Sequence, residues 1–235
     1  PDGKQVITSK EAMILKAPPK KMVIIGAGAI GAEFAYFYNE YGTEVHLIEM
    51  MPDILPIEDV DVSKEVEKSF KKSGIKIYKE TKVTSIKKLK TKVKVNAKKG
   101  DNTQVLNADI VLVATGVTGN IESIGLEEIS IATDQGAITI NEFNQTSVPN
   151  IYAIGDVSGP PSLAHLASAQ GHVAVEHAAG NTTHPVDYSN IPACTYCQPQ
   201  VASLGMTEAA AIDKGHQIKV GKFEFRASGK ALATG

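Results

Sequence analysis

One stretch constrains the fold of this chain more than any other: KMVIIGAGAIGAEFAYFYNEYGTEVHLIEM, residues 21–50. The apolar run 23–25 is typical of a strand buried in a parallel sheet, and a glycine-rich turn follows it directly. A helix is predicted next, ending at Gly42, and then a second strand over 45–48. The apolar stripe predicted for the buried face of that helix is Ile30, Phe34, Phe37 and Tyr41.

The turn has the pattern GxGxxG, made by Gly26, Gly28 and Gly31. The first glycine allows a tight turn, the second lets backbone approach a pyrophosphate, and the third lets helix pack closely on strand. The helix start offers free N–H groups to the phosphates. Glu49 ends the second strand, about where an acid accepts hydrogen bonds from an adenosine ribose. This unit predicts a dinucleotide site.

The acid also bears on the choice of dinucleotide. A carboxylate at Glu49 would repel a 2′-phosphate, and residues 50–59 contain no Lys or Arg to hold one. NAD is therefore favoured over NADP. Glu33, in the first helical turn, is equally well explained as a favourable charge at the helix dipole.

The following residues continue an α/β pattern. A helix with Val62, Val66 and Phe70 on one face is predicted before Gly74. Residues 82–108 alternate like antiparallel strands, whose lysines are expected to form a solvated face. A buried strand then ends at Thr115 and Gly116, where an open α/β sheet places nucleotide contacts.

A second candidate site lies within residues 148–180. Asp156 follows a predicted short strand, and Pro160–Ser162 leads into an Ala-rich helix. The N–H groups around Leu163, Ala164 and His165 would then face an anion such as a reduced flavin ring. Spacing alone explains Asp156 equally well as a turn or cap residue.

Composition excludes some classes of function. The chain has 235 residues, is 43% hydrophobic and 21% charged, and has a formal net charge of −2. No basic block lies beside an aromatic cluster, so no nucleic-acid partner is predicted. The longest apolar runs are strand-sized, so no membrane span is predicted. Two cysteines cannot build a disulfide framework, and a cytoplasmic location is expected.

Both cysteines lie in one CxxC, Cys194 and Cys197. That spacing suits a redox dithiol or half a zinc site, but no second CxxC is present. Residues 193–197 are predicted as a strand, on which side chains three apart point to opposite faces. The pair is therefore interpreted as two ordinary thiols rather than as a redox centre. Polar side chains on an amphipathic helix explain His165, His172 and Glu176 better than a metal does, so no metal site is predicted.

Six motifs occur in the order and spacing seen in dihydrolipoamide dehydrogenases, within the pyridine nucleotide–disulfide oxidoreductase family: VIIGAGAIGAEFA, VLVATGVTGN, VPNIYAIGDV, LAHLASAQG, IPACTYCQPQVASLGMTE and VGKFEFRASGKA. The resemblance covers essentially the whole chain and implies the cofactors NAD and FAD. For NAD it implies Gly26, Ala27, Gly28, Ala29, Ile30, Gly31, Ala32, Glu33, Glu49, Val83 and Gly116. For FAD it implies Asp156, Ser162, Leu163, Ala164 and His165.

The chain departs from many relatives at two places. Val117 to Gly119 follow the strand where relatives often have Arg, and Ser162 and Leu166 stand where relatives commonly have Met and Lys. The first departure weakens any cationic contact to the nicotinamide. The second changes the contacts along the flavin.

The resemblance also implies the architecture: a doubly wound, Rossmann-like α/β domain, a returning segment of a flavin domain and the start of an α+β dimerisation domain. The predicted ranges are 1–19 for the tail of a first flavin segment, 20–145 for the NAD domain, 146–184 for the second flavin segment and 185–235 for the partial interface domain. The last residues, 220–235, are predicted as a strand and turn. A homodimer is expected for the full-length protein.

The family's redox CxxxxC, its first GxGxxG and its C-terminal His-Glu pair match nothing in the chain, so they are expected outside it and no catalytic residue is predicted within it. The implied activity is oxidation of dihydrolipoamide on the dihydrolipoyl domains of 2-oxoacid dehydrogenase or glycine cleavage complexes. The chain alone is expected to be inactive. Related flavin disulfide reductases, NADH oxidases and a non-catalytic NAD-binding module remain alternatives.

Overall fold

The computed structural model describes residues 1–234 and divides the chain into two compact units, the second of which begins at Met206. The strands are β1 (Val6–Ile7), β2 (Lys21–Ile25), β3 (Glu44–Ile48), β4 (Lys76–Tyr78), β5 (Lys82–Lys88), β6 (Val93–Lys99), β7 (Asn102–Ala108), β8 (Ile110–Val113), β9 (Thr133–Asp134), β10 (Ala137–Ile138), β11 (Ala193–Thr195) and β12 (Val201–Ser203). The helices are α1 (Ser9–Ala12), α2 (Ala29–Glu40), α3 (Val60–Lys72), α4 (Ala164–Ala178), α5 (Glu208–Asp213) and α6 (Gly229–Thr234).

A five-stranded parallel sheet forms the centre of the first unit, in the order β1-β8-β2-β3-β4. The chain moves from β2 to β3 and β4 on one side and returns through β8 on the other. This reversal next to β2 is the switch point of an open α/β sheet. The predicted Rossmann-like α/β class is confirmed.

The two faces of the parallel sheet are covered differently. Residues of α2 and α3 pack on one face, and the antiparallel sheet β5-β6-β7 packs on the other. With both faces covered, β2 can bury Met22, Val23 and Ile24 completely, which explains its continuous apolar run. Because β5, β6 and β7 pair antiparallel, the predicted antiparallel strands over 82–108 are confirmed.

Helix α2 buries only part of the predicted face, because Phe34 packs against the core but two other predicted residues are exposed. Its buried residues include Gly31, Ala35 and Tyr38, whereas Phe37 is 47% and Tyr41 64% exposed. Small residues let the helix lie close to the sheet, so the bulky ring at 37 is turned outward. The predicted end is correct, since Gly42 follows the helix with φ +83°. In α3, Val66 and Phe70 are buried as predicted.

Two predicted strands are absent among the described residues. The segment before Asp156 forms only an isolated bridge, Gln145 with Tyr152, because its backbone folds back on itself through the hydrogen bond from the Thr146 N–H to the Ile151 carbonyl. Residues 219–224 are irregular, and a short 3-10 turn and α6 follow them. No neighbouring strand within the described part of the chain pairs with them, and an unpaired strand is not stable.

The remaining elements are small. Strands β11 and β12 form a two-stranded antiparallel sheet, as do β9 and β10. In the second unit Thr207 caps α5, its side chain accepting a hydrogen bond from the Ala210 N–H. Across residues 1–234, every helix is too short or too polar to cross a bilayer.

Candidate nucleotide-binding cleft

A cleft of about 660 Å³ lies beyond the carboxyl ends of β2, β3 and β8, at the switch point of the parallel sheet. Its volume is in the range of small-molecule sites, and its position is where open α/β sheets bind ligands. The lining residues are Ile25, Gly26, Gly28, Ala29, Ile30, Ile48, Glu49, Met50, Pro56, Thr81, Lys82, Val83, Ala114, Thr115, Gly116, Val117, Asp156 and Ser162.

The three glycines of the turn meet different surroundings. A Cβ on Gly31 would lie 1.9 Å from the Gly26 carbonyl oxygen, and one on Gly26 would lie 2.4 Å from the Ala114 carbonyl oxygen. Gly26 also has φ +96°, which disfavours any side chain. A Cβ on Gly28 would meet nothing within 4 Å. Two of the glycines are therefore needed for packing, and the third leaves open space in the cleft.

The open space lies at the start of α2. Gly28 is the N-cap residue, and no side chain caps the helix. The N–H groups of the first turn have no acceptor within the helix, and the helix dipole favours negative charge there. Bare backbone, free donors and space for a ligand together fit the pyrophosphate of a dinucleotide.

Glu49 holds the turn in place from the end of β3. It is 7% exposed; its Oε2 accepts a hydrogen bond from the Ala27 N–H at 2.7 Å, and its Oε1 accepts one from the Met51 N–H at 2.9 Å. The Leu55 N–H donates to the Ala27 carbonyl at 2.7 Å. Both polar groups of the Ala27 peptide are thus fixed. Each carboxylate oxygen keeps a further lone pair for a ligand hydroxyl.

The opposite wall follows β4. The Thr81 N–H donates to the Glu49 carbonyl at 2.8 Å, which places residues 81–83 beside the end of β3. Val83 was predicted here, whereas Thr81 and Lys82 were missed. The strand order could have indicated them, because β4 ends at the same edge of the sheet as β3 and the residues after it therefore lie beside Glu49. Lys82 also brings a cation to a cleft for which residues 50–59 supply none.

Asp156 reaches the cleft on a 3-10 turn, Gly155–Ser158, rather than on a strand. The buried Gln170 holds this turn: its Oε1 accepts a hydrogen bond from the Gly155 N–H at 2.7 Å, and its Nε2 donates to the Tyr188 hydroxyl at 2.8 Å. Sequence reasoning assigned no role to Gln170, although the residue lies in the motif LAHLASAQG. The Asp156 carboxylate has no hydrogen-bond partner within residues 1–234 and is exposed.

Not every predicted site residue lines the cleft. Ala27 and Ala32 are completely buried, with Gly31 packed against the turn. Glu33 points to another surface, where its Oε1 accepts a hydrogen bond from the Tyr196 N–H at 2.8 Å. The residues that do line it as predicted are Gly26, Gly28, Ala29, Ile30, Glu49, Val83, Gly116, Asp156 and Ser162.

The start of α4 is less open than predicted. The Leu163 N–H donates to the Pro161 carbonyl at 3.1 Å, so it is not free for an anion. The exposed His165 forms a 2.8 Å hydrogen bond between its Nε2 and the Pro192 carbonyl. Neither residue lines the cleft, nor does Ala164. Of the predicted flavin contacts, only Asp156 and Ser162 line the same cleft as the glycine turn.

A comparison with protein families decides the assignment. The family model for the pyridine nucleotide-disulphide oxidoreductases matches residues 2–171, most of the chain. This chain belongs to that family. The model for the dimerisation domain of these oxidoreductases matches residues 191–235.

Curated members of the family are similar over the whole chain. A protein named dihydrolipoyl dehydrogenase from Rhizobium etli is 45% identical over 237 aligned residues, covering 100% of this chain and 49% of that protein. One of the same name from Chlorobaculum tepidum is 46% identical, covering 100% of this chain and 50% of that protein. The chain thus spans about half the length of the curated relatives it matches.

Two solved structures also match the chain. The crystal structure of LpdA from Mycobacterium tuberculosis has a TM-score of 0.90 at 26% identity and covers 100% of this chain and 50% of that chain. The HOCl-induced flavoprotein disulfide reductase RclA from Escherichia coli has a TM-score of 0.87 at 26% identity, covering 97% of this chain and 52% of that chain.

Both cysteines of this chain are free thiols, and their environments differ. Strand β11 ends at Thr195, so the predicted strand over 193–197 is too long. Cys194 is exposed on the strand, whereas Cys197 is buried and its thiol donates to the Pro199 carbonyl. Burial, followed by the nearby Glu33 carboxylate, raises the pKa of Cys197 to about 11.

This difference predicts a labelling result. At neutral pH a disulfide reagent such as Ellman's reagent is expected to modify Cys194 quickly and Cys197 only after unfolding, because the thiolate is the nucleophile. A native chain should release one thiol equivalent and a denatured chain two, as measured by absorbance. A Cys194→Ser variant that still reacts quickly when native would contradict the assignment.

Proposed function

We propose that this chain forms the NAD site and part of the FAD site of a dihydrolipoyl dehydrogenase. The cleft carries the proposal: it joins an uncapped helix start, the open position at Gly28 and the buried Glu49 on one surface, with Asp156 on its other side. The names of the 45–46% identical relatives support the same activity.

NAD, rather than NADP, is the proposed dinucleotide. A 2′-phosphate beside Glu49 would lie next to a buried carboxylate, and charges of like sign repel strongly where water is excluded. Lys82 is exposed, so its charge is screened by solvent and offsets this repulsion only in part. The proposal therefore requires that the repulsion of a 2′-phosphate by Glu49 exceed its attraction by Lys82.

The residues of the chain have binding and orienting roles in this proposal. The start of α2 would hold the pyrophosphate, Glu49 the adenosine ribose, and Val83 and Gly116 the cofactor's adenine side and backbone. Glu33, which the family resemblance implies as an NAD contact, would have to leave the Tyr196 N–H to reach the cofactor. Asp156 would bind the hydroxyls of the flavin's side chain, with Ser162 to His165 along the ring. When bound, the two cofactors supply electron and hydride transfer, for which the protein provides orientation and exclusion of water.

The proposed reaction also needs groups beyond these 235 residues. A redox-active CxxxxC and a His-Glu pair would act with this chain in a homodimer, whose contacts would include the dimerisation region 191–235. The substrate would be dihydrolipoyl domains of a 2-oxoacid dehydrogenase or glycine cleavage complex in the cytoplasm. The chain by itself is proposed to bind NADH without turning over.

A spectroscopic assay tests this proposal. A polypeptide that joins the chain to the missing redox segments is expected to reduce NAD with dihydrolipoamide and to be inactive with glutathione and NADP. Turnover only with glutathione and NADP would contradict the proposal. Dihydrolipoamide-dependent turnover by the isolated chain, with flavin absorbance, would contradict its proposed inactivity.

A related flavin disulfide reductase is the second candidate, because the RclA structure, which is named a flavoprotein disulfide reductase, matches the chain with a TM-score of 0.87. Activity with a disulfide other than lipoamide, at comparable catalytic efficiency, would favour it in the same assay.

A further inference from the structure

The sheet β5-β6-β7 has one face against the parallel sheet and one face toward solvent. On β6 the buried residues are Val93, Val95 and Ala97, so the residues between them point outward. We name the outward surface the lysine face. Its residues are Lys82, Ser85 and Lys87 of β5, Lys94, Asn96 and Lys98 of β6, and Thr103, Val105 and Asn107 of β7.

Two pairs of lysines lie directly opposite one another on this face: Lys87 pairs with Lys94, and Lys82 pairs with Lys98. Between the two pairs, the Asn96 Nδ2 donates to the Ser85 Oγ at 2.7 Å, so side chains at these register positions do meet on the outward surface. Like charges directly opposite in a sheet destabilise it. The arrangement therefore costs stability unless a negative charge compensates it.

Elsewhere on the same sheet the lysines have acidic partners. Lys88 contacts Asp2 at 2.8 Å, and Lys99 contacts Glu80 at 2.8 Å. On the lysine face, Lys98 contacts Asp101 at 3.4 Å, and that carboxylate is fully exposed.

Lys87 and Lys94 have no carboxylate within 4.0 Å among residues 1–234. The positive charge of the face is thus concentrated where the described residues supply no counter-charge.

We propose that the lysine face binds an acidic protein segment in an extended conformation. Lys94 and Lys98 are four residues apart on one strand, roughly 13 Å, and acidic side chains four residues apart on an extended segment repeat at the same distance. Val105, 46% exposed, lies between the two lysine pairs and offers a small apolar contact.

Other polyanions fit this face less well. It has no aromatic side chain on which nucleic-acid bases could stack. It is a sheet surface without the large apolar side chains that anchor an amphipathic helix in a membrane interface. This inference does not depend on the proposed dehydrogenase activity: of the lysine face only Lys82 lines the cleft, and the binding test changes Lys94 instead.

Binding of a short fluorescein-labelled polyglutamate peptide to the 235-residue chain, followed by fluorescence anisotropy at low ionic strength, tests the proposal. We expect saturable binding that Lys94→Glu weakens about tenfold, since it replaces an attraction by a repulsion. The same variant places a carboxylate opposite Lys87, so the melting temperature should rise rather than fall. Lys94→Arg should keep the binding.

The matched control is Lys64→Glu, which makes the same charge change at an exposed position on α3. It is expected to leave peptide affinity within about twofold. Equal weakening by Lys64→Glu would show that only net charge matters and would overturn the proposal. So would a lack of saturable binding, or tighter binding of single-stranded DNA or phosphatidylserine vesicles with the same sensitivity to Lys94→Glu.

Discussion

Gly31→Ala is expected to destabilise the chain by about 3 kcal/mol or more and to abolish NADH binding. The added Cβ would lie 1.9 Å from the Gly26 carbonyl oxygen, so α2 must move away from the turn that it packs against. Overpacking of this kind typically costs about 1–3 kcal/mol, and backbone carbonyls cannot yield as a flexible side chain would. Thermal unfolding followed by circular dichroism should show a melting temperature lower by roughly 10 °C.

Gly171→Ala is the matched control for that change. Gly171 also lies within a helix, α4, but its added Cβ would meet only the Ile154 Cδ1, at 3.4 Å, an ordinary contact with the end of a flexible side chain. Alanine is the better helix former, so stability should be equal or higher. A similar loss of stability in both variants would mean that the close packing at Gly31 does not determine the effect.

Gly28→Ser should separate ligand binding from folding. Gly28 has φ −69°, which any residue adopts, and a Cβ there meets nothing within 4 Å. Serine is a preferred N-cap residue, so the free energy of unfolding should stay the same or rise slightly. Its side chain would fill the open space and accept hydrogen bonds from the N–H groups intended for the pyrophosphate. We expect NADH affinity to fall about 100-fold, roughly 2.7 kcal/mol.

The control for Gly28→Ser is the melting temperature measured on the same preparation. Unchanged melting with lost binding supports a ligand-facing role for this position. If binding is lost and the melting temperature also drops strongly, Gly28 is needed for packing, as Gly31 is, rather than for ligand binding. Retained NADH affinity would mean that the pyrophosphate does not approach the turn here.

The parts of the site that could be predicted from the sequence are those encoded locally. The glycine turn, the helix start and Glu49 lie within one strand–helix–strand unit, where the backbone geometry of the turn demands glycine and the strand length places the acid at its end. The parallel strands and the antiparallel strands over 82–108 were recognised for the same reason. The buried parallel strands are continuous apolar runs, whereas the half-buried antiparallel strands alternate between apolar and polar residues.

The parts that were missed depend on distant packing. Gln170 supports the Asp156 turn from a helix, and nothing near it in sequence indicates that its amide will be buried. Lys82 reaches the cleft only because β4 lies beside β3. The buried face of α2 was predicted only in part: Phe34 packs on the core, but close contact with the sheet favours Gly31 and Ala35, which apolar periodicity does not indicate.

Calorimetric titration of the 235-residue chain with NADH, repeated with NADPH and with the Gly28→Ser variant, tests whether the glycine turn binds a dinucleotide. We expect one saturable NADH site, affinity for NADPH lower by about tenfold or more because of Glu49, and loss of the NADH signal in the variant. Absence of saturable NADH binding, tighter binding of NADPH, or equal NADH affinity in the variant would contradict this expectation.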